Sequence, residues 1–421
     1  MSDFVELPSG REDAQSQVPA LRQLAALGYK ILTEEQAKNE RRGSFSSVLL
    51  EKILGKWLRE NNRVEFRGKE YPFSEGAIVG AIQELKKIEF EGLGRESETV
   101  YDLLVLGKAF EQSVQGVAKS HTLRYVDWQN PEKNVFHATY EFPVNRRSSE
   151  QKYRPDVVLF VNGIPFAVIE CKADSEKVEQ AISQHLRNQG EGGIPELFRF
   201  IQIALSVNRR DGRYGTAGTA KSFWANWQEQ EISDLEISAT INQALPPDTE
   251  DAIFSDSLYD CRRYSSQVLQ SGKREVTGQD RLIQAMCRPD RLLELTKRFI
   301  LFDAGVKKVA RYQQYFTVKA LIDRVKERGR DGRRTGGVIW HTQGSGKSLT
   351  MVMLANCLAQ DPEIKNPRIV LVTDRVDLDD QLCNTFRHCD KNPVQAKTGE
   401  HLLQLVKDGE EVITTVIDKF E

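Results

Sequence analysis

Residues Tyr153–Ala173 read YRPDVVLFVNGIPFAVIECKA, and the way this stretch must turn decides the fold around it. Two apolar, β-branched runs, Val157 to Val161 and Phe166 to Ile169, flank Asn162-Gly163. That dipeptide favours a two-residue hairpin, because both central positions of such a turn need a positive φ. The two strands are therefore antiparallel, and a turn centred near Gly163 sets Asp156 across from Glu170 to within one register step. Strand side chains alternate between faces, so Glu170 and Lys172 share one face while Cys171 points away. Two carboxylates and an ammonium collect at the rim of the hairpin.

Oxygen ligands in that position, with water completing the shell, suit a hard divalent cation such as Mg²⁺, whereas zinc would call for His or Cys. A metal held there lowers the pKa of a bound water and neutralises charge on a phosphodiester, while Lys172 holds the attacking hydroxide or a phosphate oxygen. The chemistry indicated is phosphodiester hydrolysis. An ordinary hairpin with charged ends is the other reading of so short a motif.

The pattern P-D, thirteen residues, E-C-K resembles the PD-(D/E)XK nucleases. The resemblance implies Asp156, Glu170 and Lys172 as the catalytic set, with Asp156 and Glu170 as Mg²⁺ ligands. It also brings in Glu12, since many such folds add a glutamate from the first helix, although the residue by itself reads first as a solvated amino-terminal acid. A helix expected over residues 175–188 offers Gln184, flanked by apolar Ile182 and Leu186. Type I nuclease domains often carry a Q-x-x-x-Y element there, and Asn188 stands in the place of the tyrosine.

Outward from the hairpin, 421 residues give room for about two or three domains. A net charge of −2 means that nucleic-acid contact has to come from local basic patches. Six cysteines without a C-x-x-C pair read as buried thiols of a reducing compartment. The acidic start, MSDFVELPSGRED, has no apolar signal region, and no run of 18 apolar residues occurs, so no membrane association and a cytoplasmic location are expected. Helices are predicted from Gln17 to about Gly28, over residues 44–59, and after an N-cap at Ser74. Residues 120–143 suggest two strands extending the hairpin's sheet, and residues 197–207 a buried strand. The basic run Asn145-Arg146-Arg147, with Lys152 and Arg154, precedes Asp156 and reads either as a solvated loop or as a phosphate contact. The Gly-rich, basic loop at residues 208–227, with its aromatics, reads either as lying along DNA or, for Trp224 and Trp227, as packing residues, the latter being preferred. An acidic, proline-bearing linker at residues 245–256 places the domain boundary near 260, giving domains of 1–260 and 261–421.

In the second domain a helix is predicted over residues 307–325, with Tyr312, Phe316, Val318 and Leu321 inward. Then come a strand at Gly337 to Trp340, the glycine loop HTQGSGKS and a helix over 349–359. Gly344 and Gly346 let backbone N–H groups wrap a phosphate, Lys347 reaches β and γ oxygens, and Ser348 ligates Mg²⁺ at a helix amino end. Gln343 and Ser345 complete this nucleotide-binding loop. His341 takes the place of the first glycine of G-x-x-x-x-G-K-[ST], as in helicase-like ATPases, and is read as structural. Further strands are expected at residues 368–373 and 411–417.

The hairpin, RGKEYPFSE, FDAGVKKVARYQQYF, HTQGSGKS, VTDRVDLDDQL and TTVIDKF follow in this order, and the chain so read resembles the restriction (R) subunit of type I restriction-modification enzymes. That implies an α/β chain in which a PD-(D/E)XK nuclease domain is followed by an incomplete RecA-like P-loop NTPase lobe. It implies Mg²⁺ and ATP as cofactors, with double-stranded DNA and the methylation (M) and specificity (S) subunits as partners. The activity implied is ATP-dependent, site-specific cleavage of unmodified foreign DNA, driven by a superfamily-two translocase. Gln313 would read adenine, with Gln314 as the second choice. No D-E-x-H Walker B motif and no second lobe with an arginine finger occur before Glu421, so the chain is expected to stop inside lobe one. Two alternatives are an assembly module that docks on the methyltransferase without cutting and a stand-alone NTPase switch; intact Asp156, Glu170 and Lys172 weigh against the first, and the missing Walker B against the second.

With the phosphate loop present and the hydrolytic half absent, this 421-residue chain alone should show no DNA-stimulated ATP hydrolysis above a Lys347→Ala control. Steady-state phosphate release with and without duplex DNA checks this. Robust turnover that Lys347→Ala removes would place the missing residues inside this chain.

Overall fold

The computed structural model describes residues 12–147, 149–270 and 272–420; the rest of the acidic start, through Arg11, lies outside them. The chain divides into two compact units between Lys297 and Arg298. Residues 261–297, assigned from the sequence to the second domain, pack into the first unit. The supposed linker folds as a helix, Pro247–Ile253, with Ile253 and Phe254 buried. The helix beyond it, Gly278–Cys287, locks onto the amino-terminal helix α1 (Val18–Ala26) and its surroundings. Ser16 Oγ donates to Gln279 Oε1 at 2.6 Å, and Tyr29 Oη to the Cys287 carbonyl at 2.7 Å.

A six-stranded sheet forms the core of the first unit: β1 (Lys30–Leu32), β2 (Phe136–Tyr140), β3 (Val157–Val161), β4 (Ile164–Lys172), β5 (Ile203–Asn208) and β6 (Gly212–Gly215). The spatial order follows the chain order. Pairs β1–β2 and β4–β5 are parallel and the other three antiparallel. Each parallel pair needs a crossover; for β4–β5 it carries helix α2 (Val178–Gln189), which lies beside both strands. Every residue of β3 and β4 is buried, as expected of central strands covered on both faces.

The turn between β3 and β4 has φ of +53° at Asn162 and +84° at Gly163, the primed geometry that the dipeptide predicts. Asn162 is fully buried and seals it: its Oδ1 accepts from Val135 N at 2.9 Å, and its Nδ2 donates to the Tyr125 carbonyl at 3.0 Å and to Asn134 Oδ1 at 2.8 Å. Beyond the turn, Val161 faces Ile164, but a bulge between Pro165 and Ala167 shifts the register so that Val157 faces Ile169. Continued by one residue, that register sets Asp156 opposite Glu170.

Several predicted boundaries move for identifiable reasons. The helix placed at 44–59 runs over Glu51–Asn61, because the Leu50 N–H is taken by the Gly163 carbonyl at 2.8 Å instead of by a helical turn. Ser74 does cap its helix, accepting from Ala77 N. Of the two strands expected within 120–143, only β2 joins the sheet, since Val117–Leu123 pairs with Lys108–Val114 in a separate hairpin.

In the second unit the predicted helix begins later, at Tyr312–Lys326, and its first residues form a hairpin, Ile300–Asp303 with Val306–Val309. Its buried face is Gln314, Tyr315, Val318 and Ile322, so of the residues predicted inward only Val318 is buried, and Tyr312, Phe316 and Leu321 are half-buried. A parallel three-stranded sheet places Val412–Val416, wholly buried, between Ile369–Thr373 and Val394–Gln395. Gly337 to Trp340 is not a strand: among the described residues no strand pairs with it, and Val338 and Trp340 are 93% and 92% exposed. An apolar run becomes a strand only where a neighbour supplies the ladder.

A Cβ at Gly163 would stand 2.6 Å from the Leu50 carbonyl oxygen and 2.9 Å from Leu54 N. Gly163→Ala should therefore lower stability by about 2–3 kcal/mol, strain and clash together. A denaturant titration reads this directly.

Candidate active site

The end of the hairpin is assembled from four segments. Asp156 leads into β3 and Glu170 and Lys172 close β4, with exposures of only 7%, 0% and 8%. The segment Asp13–Gln17 ahead of α1 brings in two amides: Gln17 Nε2 donates to the Asp156 carbonyl at 2.9 Å, and Gln15 Oε1 accepts from Asp174 N at 2.9 Å. Helix α2 supplies two more. Gln184 Nε2 donates to Glu170 Oε2 at 2.5 Å, and Asn188 Nδ2 to Glu170 Oε1 at 3.4 Å. Both carboxylate oxygens of Glu170 are thus held by side-chain amides four residues apart, the spacing that puts them on one face of a helix.

Asp156 Oδ2 accepts the Cys171 N–H at 2.7 Å. Lys172 Nζ donates to the Cys171 carbonyl at 2.6 Å and to both oxygens of Glu12 at 3.2 Å. Glu12 therefore meets the lysine. Gln15, Gln17 and Ser206 were not singled out from the sequence. No local signal marks the first two, whose partners lie about 140 to 160 residues along the chain.

Electrostatics follow from crowding acids in a dry place. Burial is the main reason the Asp156 carboxyl is pushed up to about 7, with Glu12 and Glu141 adding to it while Lys172 and the Cys171 N–H oppose it. Burial and then the Asp156 charge raise Glu170 well above the usual carboxylate range. Burial also raises Glu12, against the pull of Lys172. For Lys172 burial works against the charge, but Asp156, Glu12 and Glu170 outweigh it and hold the ammonium above its ordinary pKa.

A pair of buried carboxylates with one nearby ammonium leaves negative charge for a cation to offset. The residues fit Mg²⁺, which is satisfied by one or two protein carboxylates and takes its remaining oxygens from water and substrate phosphate. Among the described residues no three His, Cys, Asp or Glu side chains already enclose a common point, so a closed all-protein cage is not what is offered. Ser206, level with Glu170 on β5, has a buried Oγ with no hydrogen-bonding partner in the structure.

The glycine loop of the second unit has φ of +76° at Gly344 and +81° at Gly346, and a helix begins at Lys347. Lys347 Nζ lies back on the carbonyls of His341 (3.3 Å) and Thr342 (3.1 Å). His341 Nε2 shares a 3.0 Å hydrogen bond with Thr317 Oγ1. Gln343 and Gly344 are exposed, Ser345 and Ser348 half-buried. Of the two glutamines, Gln313 is exposed, whereas Gln314 is buried and its Nε2 donates to the Gly346 carbonyl at 3.2 Å. All six cysteines are buried free thiols, and among the described residues no helix is long and apolar enough to cross a membrane.

Comparison with known proteins adds identity to this geometry. A family model described as type I restriction enzyme R protein N terminus matches residues 10–223, and one described as SWI2/SNF2 ATPase matches residues 313–421. The type I restriction enzyme HindI endonuclease subunit of Haemophilus influenzae is 29% identical over 394 residues, covering 90% of this chain and 33% of its own length. A protein of Methanocaldococcus jannaschii provisionally named type I restriction enzyme MjaIXP endonuclease subunit is 26% identical over 407 residues, 94% of this chain and 36% of its own. The chain spans about a third of the length of these relatives.

Since the Asp156 carboxyl titrates near 7 in the folded chain against an ordinary value of 3.8, the folded state holds its proton more tightly than the unfolded one. Its contribution to stability is present below about pH 4 and is lost as pH rises through 7. Metal-free Asp156→Asn, which keeps an oxygen for the Cys171 N–H, should therefore be more stable than the parent at pH 8, by an amount on the order of a few kcal/mol, and equal to it near pH 4. Melting curves at the two pH values check the sign.

Proposed function

The chain belongs to the family of type I restriction enzyme R proteins, and from that membership we propose that its first unit is a PD-(D/E)XK endonuclease domain that hydrolyses phosphodiesters of double-stranded DNA. The observation that carries the proposal is the register that sets Asp156 opposite Glu170, with Lys172 two residues on along the same strand. In this reading Asp156 and Glu170 hold Mg²⁺, which when bound supplies an acidic water and offsets charge on the scissile phosphate. Gln184 and Asn188 orient Glu170 through its two oxygens. Such partners of a metal ligand fix its direction and basicity. Asn188 thereby offers a donor where the tyrosine of the resembled element would stand. Lys172, held between Glu12 and the Cys171 carbonyl, supplies a fixed positive charge toward the attacking oxygen or the phosphate.

Residues 1–260 form the nuclease domain in this reading, buttressed by the helices up to Lys297. The second unit begins the first RecA-like lobe of an ATP-driven DNA translocase. There Gln343 to Lys347 wrap the phosphates of ATP, Ser348 reaches Mg²⁺ and a glutamine of the Gln313-Gln314 pair meets the base. The complete subunit works in the cytoplasm with the M and S subunits, the S subunit choosing the DNA sequence. A docking module that cuts nothing is disfavoured, because such a module gains nothing from two acids whose burial, with the Asp156 charge acting on Glu170 besides, costs stability.

In the assembled enzyme with Mg²⁺, ATP and an unmodified target, Asp156→Ala and Lys172→Ala should each lower cleavage by roughly three or more orders of magnitude. Gln184→Ala should cost about 10–100-fold. Cutting at the parental rate by both of the first two variants would falsify the assignment.

A further inference from the structure

The basic run ahead of Asp156 divides into two kinds of residue. Arg147 and Arg154 are committed within the protein: Arg147 Nε donates to Glu196 Oε1 at 2.7 Å with its guanidinium over Phe90, and Arg154 Nη1 donates to Glu34 Oε2 at 2.7 Å. Arg146 and Lys152 meet no carboxylate among the described residues; nor does Arg187, on α2. These three are arranged on aromatic supports. The Tyr153 ring carries two guanidinium groups, Arg146 at 4.9 Å and Arg187 at 4.7 Å from its centroid, and Lys152 Nζ lies 3.7 Å from the centroid of Phe45. Arg146 is further fixed by hydrogen bonds to the Gly192 carbonyl (2.8 Å) and Gln151 Oε1 (2.6 Å).

Two like charges on one ring repel, and an exposed cation–π contact returns only about 0.5–1 kcal/mol each. An anion that lies against both guanidiniums removes the repulsion. Lys152 and Arg187 are exposed and Arg146 half-buried, so the cations form a surface row suited to a repeating polyanion and not a closed pocket for one phosphate. The row also adjoins the proposed catalytic groups. Tyr153 lies three residues before Asp156, and Arg187 donates to Asn188 Oδ1 at 3.1 Å through Nη2, while the Asn188 amide donates to Glu170.

We propose that Arg146, Lys152 and Arg187, with two of them stacked on Tyr153, bind consecutive backbone phosphates of duplex DNA and seat the scissile bond at Asp156 and Glu170. This rests on the nuclease reading above. Because phosphate contacts fix register without reading sequence, these residues set position and leave target choice elsewhere.

The test is duplex binding by the 421-residue chain across a salt series, with Ca²⁺ replacing Mg²⁺. Arg146→Gln/Arg187→Gln should flatten the slope of log affinity against log salt by about 2, and Lys152→Gln by about 1, at roughly 0.9 per phosphate contact. Arg146→Lys/Arg187→Lys, which keeps the charge, should retain most of the parental slope. Arg59→Gln removes one charge, as Lys152→Gln does, from an exposed pair with Glu75 and should leave the slope unchanged. A parental slope in the Gln variants, or equal flattening in Arg59→Gln, overturns the proposal. Should the double Gln variant fail to fold, Lys152→Gln decides alone. Asp156→Asn separates the two readings: persistent cleavage by that variant sinks the nuclease assignment, while the slopes judge the phosphate row independently.

Discussion

A single register shift inside one hairpin sets up the candidate site of the first unit. If the pairing that begins at Val161 and Ile164 ran on unbroken, Asp156 would face Ile169 and Glu170 would point to the other side of the sheet. One extra residue at the bulge between Pro165 and Ala167 turns Glu170 onto the face of Asp156, which is how bulges re-aim side chains next to functional sites. Proline belongs at such a place because it has no N–H to give the ladder. The rest of the unit fixes this geometry: Asn162 is locked by three side-chain hydrogen bonds, and the Leu50 N–H closes on Gly163.

What the register brings together is electrostatically unfavourable in isolation. Two carboxylates lose their hydration within one apolar sheet, and neither finds a full counter-charge, since Lys172 divides its ammonium between Glu12 and a backbone carbonyl. Three neutral donors moderate the cost, the Cys171 N–H on Asp156 and the amides of Gln184 and Asn188 on Glu170, while the Gln17 amide anchors the Asp156 backbone. Neutral donors orient a carboxylate without discharging it, so the charge stays available to a cation. Stability is given up locally, and the large buried sheet supplies it.

The parts legible in the sequence were those in which cause and consequence lie within a few residues. Asn162-Gly163, the alternation along β4 and the Ser74 cap are local codes, and their predicted geometry appears; of the glycine loop, the positive φ at Gly344 and Gly346 and the helix after it appear. The bulge is not a local code that the run IPFAVIECK discloses, so Asp156 could be set against Glu170 only to within one step. Helix Glu51–Asn61 starts late because a residue more than a hundred positions away takes the Leu50 N–H. The run Gly337 to Trp340 has strand composition and no ladder. Gln313 and Gln314 differ by one position, about 100° around a helix, and only packing decides which of them meets the loop. Gln15 and Gln17 carry no signal, being ordinary polar residues until the chain folds back upon them.

Each unit also holds a lysine against its own backbone, and the two cases differ in a way that matters for what can displace them. Lys347 is exposed and rests on two loop carbonyls at 3.1 and 3.3 Å, bonds that water replaces at little cost. A phosphate, charged and reaching the loop's N–H groups as well, outcompetes neutral carbonyls readily. Lys172 is 8% exposed and holds one carbonyl at 2.6 Å and a carboxylate at 3.2 Å. Moving it would strand Glu12, itself half-withdrawn from water, beside two other acids. On the function proposed above, the first lysine would be free to follow a phosphate, whereas the second would be a fixed charge to which the phosphodiester must be brought, and a site built on a fixed charge depends on accurate delivery.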